Sequence, residues 1–312
     1  MRVLLWHVHG SWTTALVHGP HEYLLPVLPG RDADGRGRAR TWTWPDNAIE
    51  VTPEEARETP VDVVILQRPH ELEGLCERWL GGRRPGRDLP AVYVEHNAPQ
   101  GRIADMRHPV ADRSDLVLVH VTHFNDLFWD AGSTPTRVIE HGIVDPGPRY
   151  SGELPHAAVV INEARRRGRV TGTDLLERLA DDVPVDLFGM DAAALGGSEN
   201  PPQHELHGEM ARRRVYLHPI RWTSLGLSLI EAMQLGMPVV ALATTEAPDA
   251  VTPQAGFTST NVDALAAETR RLVMNPEEAR ERGHAARKAA LERYGLERFL
   301  SDWDELLEEV AS

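Results

Sequence analysis

Short apolar runs alternate with stretches of helical pattern along the first half of the chain. The apolar runs are residues 3–8, 61–66, 91–94 and 116–119. Segments with helical potential lie between them, such as 71–80 and 123–131. This alternation predicts a parallel sheet flanked by helices. Ligands bind beyond the carboxyl ends of such strands. The polar or small residues expected at that edge are Gly10, Ser11, Gln67, Arg68, Glu95, His96 and Asn97.

The second half of the chain repeats the alternation. Apolar runs at 157–161, 185–188, 215–217 and 237–243 predict the strands of a second sheet. Between the halves, Asp145-Pro-Gly-Pro148 interrupts regular structure and predicts a hinge. We therefore expect an α/β fold of two Rossmann-like domains with parallel sheets facing a cleft. The boundary is placed at Tyr150, which gives domains of residues 1–150 and 151–312.

The segment 223–242 is the most informative in the chain. A glycine turn at Gly226 leads into a short helix, and Gly236 lies where a helix ends. Free backbone amides at a helix start bind phosphate. Helical side chains lean toward the N-terminus, so Glu231 is expected to point back toward that site and to accept hydrogen bonds from a ribose. The alternative is a plain capped helix in which Ser228 and Glu231 form a capping box.

From Gly226 to Ala241 this segment resembles the signature of the group-one family of retaining GT-B glycosyltransferases. The usual signature is Glu-Gly-Phe-Gly-Leu, a few residues, then Glu-Ala-Met, a small residue, Gly, any residue and Pro-Val-Val-Ala. The chain departs from it at Thr223, where the family carries a glutamate that touches the transferred sugar. Residues 114–145 also resemble the family's run from a strand to the hinge, and the last helix is expected to pack back on the first domain.

The resemblance implies roles for individual residues of the second half. The donor diphosphate is expected at the amides of Gly226, Leu227 and Ser228, and the nucleotide ribose at Glu231. Thr171 stands where the family has a lysine that grips the diphosphate. The matching arginine is one of Arg165, Arg166, Arg167 and Arg169, with Arg166 and Arg169 taken as candidates. A solvated arginine loop is the open alternative.

In the first half, the resemblance points to three residues. His96 follows a strand where the family carries a histidine near the reacting sugar, and such a histidine can donate a hydrogen bond to a hydroxyl or to developing charge. Gly10 and Ser11 lie where the family's glycine loop approaches the diphosphate. A strand-end histidine bonded to nearby backbone is the alternative for His96. Trp42 and Trp44 either line an acceptor groove or pack on the core.

Composition narrows the class of protein. The net charge of −14 argues against a general binder of nucleic acid or anionic membrane. Cys76 is the only cysteine, so no internal disulfide can form, and a reducing cytoplasm is expected. We see neither a signal peptide nor a transmembrane stretch, so membrane contact is at most peripheral. Glycine- and arginine-rich segments at 30–40 and 81–87 read as mobile surface loops.

Four histidines near the start of the chain invite the hypothesis of a metal site, but their spacing fixes no coordination geometry: His7, His9, His18 and His21. As the resemblance implies, the reaction is the metal-independent, retaining transfer of a sugar from a nucleotide-diphosphate sugar to a hydroxyl. The acceptor is a polysaccharide or a small natural product, and no cofactor is expected beside the donor. Two alternatives stay open: a nucleotide-sugar epimerase or hydrolase, and a nucleotide-sugar-binding partner protein with weakened catalysis.

Overall fold

The computed structural model describes residues 1–180 and 183–312, with the backbone but not the side chain of Ile103. Within these residues the strands form two fully parallel sheets, of seven and six strands. The chain divides into two units. The first unit comprises Met1–Val144 and Leu296–Ser312, and the second comprises Asp145–Gly295. The fold class is therefore the expected one, α/β with two parallel sheets. The observed division falls at residue 145, whereas the sequence analysis places it at 150.

The first sheet has the order β3-β2-β1-β4-β5-β6-β7. Its strands are β1 Arg2–Leu5, β2 Glu22–Pro26, β3 Ala48–Val51, β4 Val63–Leu66, β5 Ala91–Glu95, β6 Val117–His120 and β7 Thr136–Val138. The helices of this unit are α1 Gly10–Leu16, α2 Pro53–Glu58, α3 Cys76–Trp79, α4 His123–Phe128 and α12 Leu296–Ala311. A π-helical turn, Glu71–Leu75, precedes α3, so the predicted helix over 71–80 is interrupted at Gly74 (φ +128°).

Side chains alternate across the first sheet and build a core on each face. Val3 and Leu5 face one core, where Trp12 of α1 packs against Trp303 of α12 with ring centroids 5.5 Å apart. Leu4 and its neighbours face the other core with α3. Because both faces are covered, the strands read as continuous apolar runs, which explains why four of them were predictable.

The second sheet has the order β10-β9-β8-β11-β12-β13. Its strands are β8 Leu154–Val160, β9 Val185–Gly189, β10 Ser198–Glu199, β11 Arg213–His218, β12 Val239–Leu242 and β13 Gly256–Ser259. The helices of this unit are α5 Ala164–Thr171, α6 Leu176–Leu179, α7 Gln203–Arg212, α8 Leu227–Leu235, α9 Ala247–Ala250, α10 Val262–Met274 and α11 Pro276–Tyr294. Buried apolar residues of β8, β11 and β12 pack with α10 in one core.

The segment 30–40 corrects one expectation, because it is tied to the fold rather than loose. Arg31 forms an ion pair with Glu50 at 2.7 Å. Arg38 donates to the main-chain oxygens of Trp44 (2.6 Å) and Ala48 (2.5 Å). A guanidinium has five donors in a fixed fork, and three protein acceptors hold this one in place. Two of the arginines in this segment therefore stabilise its shape.

Candidate functional site

In each sheet, the next strands along the chain are added on one side of the first strand and the later ones on its other side. Each sheet therefore has one topological switch point. In the first sheet β1 lies between β2 and β4, and in the second β8 lies between β9 and β11. The loops that leave the two strands at such a point run to opposite sides and open a crevice, which is where α/β sheets bind ligands. In the second unit, the loops at this point follow β8 and β11. They lead into α5 and α8, which carry the residues singled out from the sequence.

Helix α8 begins with bare backbone. Gly226 is its N-cap residue, in an extended conformation, and as a glycine it has no side chain with which to cap the helix. Ser228 lies 2.8 Å from the Tyr216 hydroxyl instead, so the alternative capping box does not form. The first amides of a helix have no partner within the helix. Those of Leu227 and Ser228 are therefore placed to bind an anion, and the helix dipole adds to the attraction.

A buried histidine explains why position 226 is a glycine. A Cβ on Gly226 would lie 2.5 Å from Cε1 of His218, the last residue of β11. His218 is 2% exposed, and burial lowers its pKa to about 4. Its Nδ1 has no hydrogen-bond partner among the residues that the structure describes. The neutral imidazole therefore forms the floor beneath the start of α8.

Glu231 lies one turn into α8 and is only 3% exposed. Its carboxylate oxygen is 3.4 Å from Nε2 of His207, on α7. A carboxylate is rarely buried without partners, and the His207 nitrogen beside it also lies 2.8 Å from the side-chain nitrogen of Gln203. His207 was missed by the sequence analysis, since no local spacing relates residue 207 to residue 231.

The arginines of α5 differ in their surroundings. Arg166 forms an ion pair with Glu163, which sits in a left-handed conformation at the start of the helix. Arg169 lies 3.4 Å from Asp174. Arg167 is half-buried, and burial lowers its pKa. Among the described residues, no carboxylate pairs with Arg167, which distinguishes it from these two neighbours.

The end of α5 contacts the loop that leads to α8. The main-chain oxygen of Val170 accepts from the amides of Arg221 (2.9 Å) and Trp222 (3.2 Å). A Cβ on Gly172 would lie 1.9 Å from the Pro219 oxygen. Thr171 is fully buried between these contacts, and its hydroxyl donates to the Gly168 oxygen at 3.2 Å.

Thr223 lies half-buried on the loop before α8. The second unit therefore brings α5, Thr223 and the start of α8 into one region.

In the first unit, His96 follows β5 and is 7% exposed. Its Nε2 lies 3.0 Å from Oε1 of Gln67, whose Nε2 lies 2.7 Å from the Trp6 main-chain oxygen. A carbonyl oxygen only accepts, so Gln67 donates to Trp6 and its own oxygen accepts from His96. Burial lowers the pKa of His96 well below 6.5, so the ring is neutral, with its proton on Nε2 and a lone pair on Nδ1.

His96 belongs to a cluster of rings at the end of β1. Its centroid is 4.1 Å from that of His9 and 4.9 Å from that of Trp12. Gly10 and Ser11 open α1 directly after His9. Burial lowers the pKa of His9 to about 4 and that of His141 to about 3. Among the described residues, no group of three or more His, Cys, Asp or Glu is arranged to hold a metal ion.

A second layer of hydrogen bonds holds the turn that carries His96. Glu95 accepts from the Asn97 amide at 2.7 Å and from Nε2 of His108 at 3.0 Å. Nδ1 of His108 accepts from the Val110 amide, so its proton is on Nε2. The main-chain oxygen of Asn97 accepts from Trp129 at 3.0 Å. The turn is thus fixed from both sides, and sequence spacing contained no signal for His108.

The model of the family described as glycosyl transferases group 1 matches residues 198–289, a segment that includes α7 and α8. Over residues 198–289 the chain is similar to the group-one glycosyltransferases. The resemblance seen in the sequence is thereby confirmed over α8. No curated protein matches the chain.

Solved structures resemble the chain over nearly its whole length. Sucrose-phosphate synthase from Thermosynechococcus elongatus is 14% identical with a TM-score of 0.72, covering 99% of this chain and 98% of that one. HepE of Anabaena, solved in complex with UDP, is 15% identical with a TM-score of 0.73, covering 99% and 100%. A glycosyltransferase from Rickettsia africae is 13% identical with a TM-score of 0.68, covering 99% and 98%. At these identities the likeness shows the fold, which is GT-B.

Among the residues that the structure describes, no helix is both long and apolar enough to cross a bilayer.

Proposed function

We propose that the protein is a glycosyltransferase that takes its sugar from a nucleotide-diphosphate sugar and transfers it with retention of configuration. The observation that carries the proposal is the pairing of Gly226 with Glu231 on one short helix. The glycine contributes no capping side chain, and the buried carboxylate lies one turn further on. An anion site and a hydrogen-bond acceptor at this spacing suit a diphosphate and the ribose attached to it.

The nucleotide to test first is UDP. HepE of Anabaena has been solved with UDP and with UDP-glucose, and a pneumococcal O-GlcNAc transferase with UDP and GlcNAc. These ligands belong to those proteins and enter here only as a choice of probe. The proposed contacts of the α8 amides and of Glu231 involve the diphosphate and the ribose. They do not select the base of the donor nucleotide.

A cation is needed beside the diphosphate, because negative charge develops on the leaving group. We propose Arg167 for this role. Arg166 and Arg169 already have carboxylate partners, so each would have to give one up, whereas Arg167 is half-buried and has no such pair among the described residues. Thr171 would shape the end of α5, since its side chain is fully buried.

The first unit would supply the acceptor side and His96. Neutral His96, held in place by Gln67, would contact a sugar hydroxyl. Thr223 would take the place of the family's glutamate near the transferred sugar. No metal is required in this scheme, because the amides of α8 and an arginine stabilise the diphosphate. The departing phosphate takes the acceptor proton.

The test is calorimetry and thermal shift with UDP, GDP, ADP and dTDP. A ligand that binds only the folded state raises its stability. We expect one of the four to bind and Glu231→Gln to weaken it by about 1–3 kcal/mol, the range for hydrogen bonds to a charged group. Glu205→Gln makes the same charge change on exposed α7 surface and should leave binding intact. If none of the four binds, the proposed function is wrong.

Turnover assays separate the alternatives. Release of free sugar at the full rate without acceptor would favour a hydrolase. Binding of nucleotide without turnover of any sugar donor would favour a binding protein. Transfer to an added hydroxyl acceptor supports the transferase.

A further inference from the structure

The chain just after β1 lies beside side chains to which the proposed function assigns no role. Gly10 has no side chain, and two ring nitrogens border the space that one would fill. His7 Nε2 and Trp42 Nε1 each lie 3.9 Å from the position of a Cβ on Gly10. His7 and Trp42 are both half-buried. The strand end thus presents two polar ring atoms around a bare stretch of backbone.

The protonation of His7 follows from its partner. Its Nδ1 lies 3.0 Å from the Gly37 main-chain oxygen, which can only accept, so the proton is on Nδ1. Burial, the largest cause, lowers the pKa of His7, and the nearby Arg36 lowers it further. The ring is therefore neutral, and Nε2 is an acceptor that faces Gly10. Trp42 Nε1 is a donor, so a ligand with hydroxyl groups meets one acceptor and one donor here.

Arg36 adds a positive charge to this edge. It lies on the segment 30–40, which Arg31 and Arg38 fix to the body of the unit. Its Nη1 is 3.5 Å from the Val8 main-chain oxygen, two residues before Gly10. Among the described residues, no carboxylate lies within ion-pair distance of Arg36, whereas Arg31 and Arg68 are both paired. Its exposed guanidinium has donors to spare for a ligand.

We propose that the edge formed by His7, Gly10, Arg36 and Trp42 binds the acceptor, and that this acceptor is a sugar ring bearing an anionic group. The ring would lie over Gly10, with hydroxyls bonded to His7 and Trp42. The guanidinium of Arg36 would pair with a carboxylate or a phosphate ester on the ring. This inference rests on the proposed function, because it names the substrate that receives the sugar.

Charge and shape both favour this class of ligand. Arginine binds carboxylate and phosphate through two parallel, charge-assisted hydrogen bonds, which are stronger than those it forms with the neutral hydroxyls of a sugar. Indole rings are common partners of sugar rings because they join an apolar face to an N–H donor. In a protein with a net charge of −14, an unpaired guanidinium at a crevice also concentrates anions locally.

The experiment compares matched probes on the UDP-saturated protein by saturation-transfer NMR. The probes are methyl α-D-glucopyranoside, the corresponding methyl glucuronide and glucose 6-phosphate. We expect the anionic probes to bind about tenfold more tightly than the neutral one, the effect of a charge-assisted pair discounted for exposure. Arg36→Gln should remove this preference, and added salt should reduce it. If the protein prefers the glucuronide or the phosphate, that preference shows which anionic group the acceptor carries. If the two anionic probes bind equally, the site recognises either anion.

Two further variants serve as controls. Arg78→Gln makes the same charge change on exposed α3 and should keep the preference. Trp42→Ala should weaken neutral and anionic probes alike, leaving their ratio unchanged. Equal binding of all probes to the unaltered protein, or a preference that survives Arg36→Gln, would overturn the proposal. Calorimetry with UDP alone tests the proposed function. A failure of that proposal is therefore distinguished from a failure of the proposed acceptor site.

Discussion

His96 uses one ring nitrogen, Nε2, to hold its orientation against Gln67. The chain from the Trp6 oxygen through Gln67 fixes which nitrogen carries the proton. The sequence analysis expected a hydrogen-bond donor at this position. In the orientation that the structure describes, Nε2 of His96 donates to Gln67, so the position of the ring proton depends on a residue 29 positions away.

Replacement of His96 tests whether its imidazole contributes to turnover. We expect His96→Ala to lower kcat by about 10- to 100-fold, the effect of losing one strong hydrogen bond, and to change the affinity for the donor much less. Because the imidazole is already neutral, its ionisation should not appear in the pH profile over roughly pH 6 to 8. The measurement is steady-state kinetics beside calorimetry with UDP.

His123→Ala is the matched control, because His123 is an exposed histidine of the same unit. Unchanged kcat in the His96 variant would return that residue to a structural role.

Helix α8 shows how one short element depends on the strand beneath it. Gly226→Ala would bring a Cβ into contact with His218, which is buried and cannot move freely. We expect a loss of about 1–3 kcal/mol of stability, the usual range for overpacking, and weaker binding of UDP because the amides shift. Urea unfolding and calorimetry measure the two effects.

Gly208→Ala provides the opposite expectation on α7. Nothing lies within 4 Å of the added Cβ, so the only effect is on helix propensity. This variant should be more stable by about 0.5–1 kcal/mol. If Gly226→Ala behaved like Gly208→Ala, the close packing of α8 on β11 would be refuted.

The strands and loops differ in how well the sequence alone predicted them. The apolar run before residue 243 identified β12 because both faces of that strand are covered. Strands β2 and β3 were missed, since β2 ends in Pro26 and the outer strand β3 exposes Ile49. The packing of segment 30–40 was missed because Arg31 finds Glu50 only after the chain has folded. Local pattern thus indicates elements, whereas pairing between distant residues needs the structure.

Buried neutral histidines occur in both units and link the stability of the whole molecule to pH. Burial lowers the pKa of His120 and His218 to about 4, and that of His141 to about 3. In an unfolded chain each would titrate near its ordinary value of 6.5. The unfolded state therefore binds more protons below that value. The free energy of unfolding therefore has its full value above pH 6.5 and decreases as the pH drops toward 4.

The expected slope is about 1.4 kcal/mol per pH unit for each such histidine. Urea unfolding at a series of pH values between neutrality and the acid limit measures it. His218→Gln and His120→Gln should each flatten the slope, whereas His204→Gln, on an exposed residue, should not. Stability that stayed constant through this range would contradict the assignment of neutral rings.

The helix Leu296–Ala311 has a consequence for the order in which the protein can fold. Its Phe299 and Trp303 lie in the same core as Trp12, and Gly142 is bare because Phe299 approaches it so closely. On the ribosome, every residue of Asp145–Gly295 is translated before these aromatic side chains exist. The nascent amino-terminal portion must therefore wait, with this core covered by α1 but lacking Phe299 and Trp303, until the last helix has left the exit tunnel.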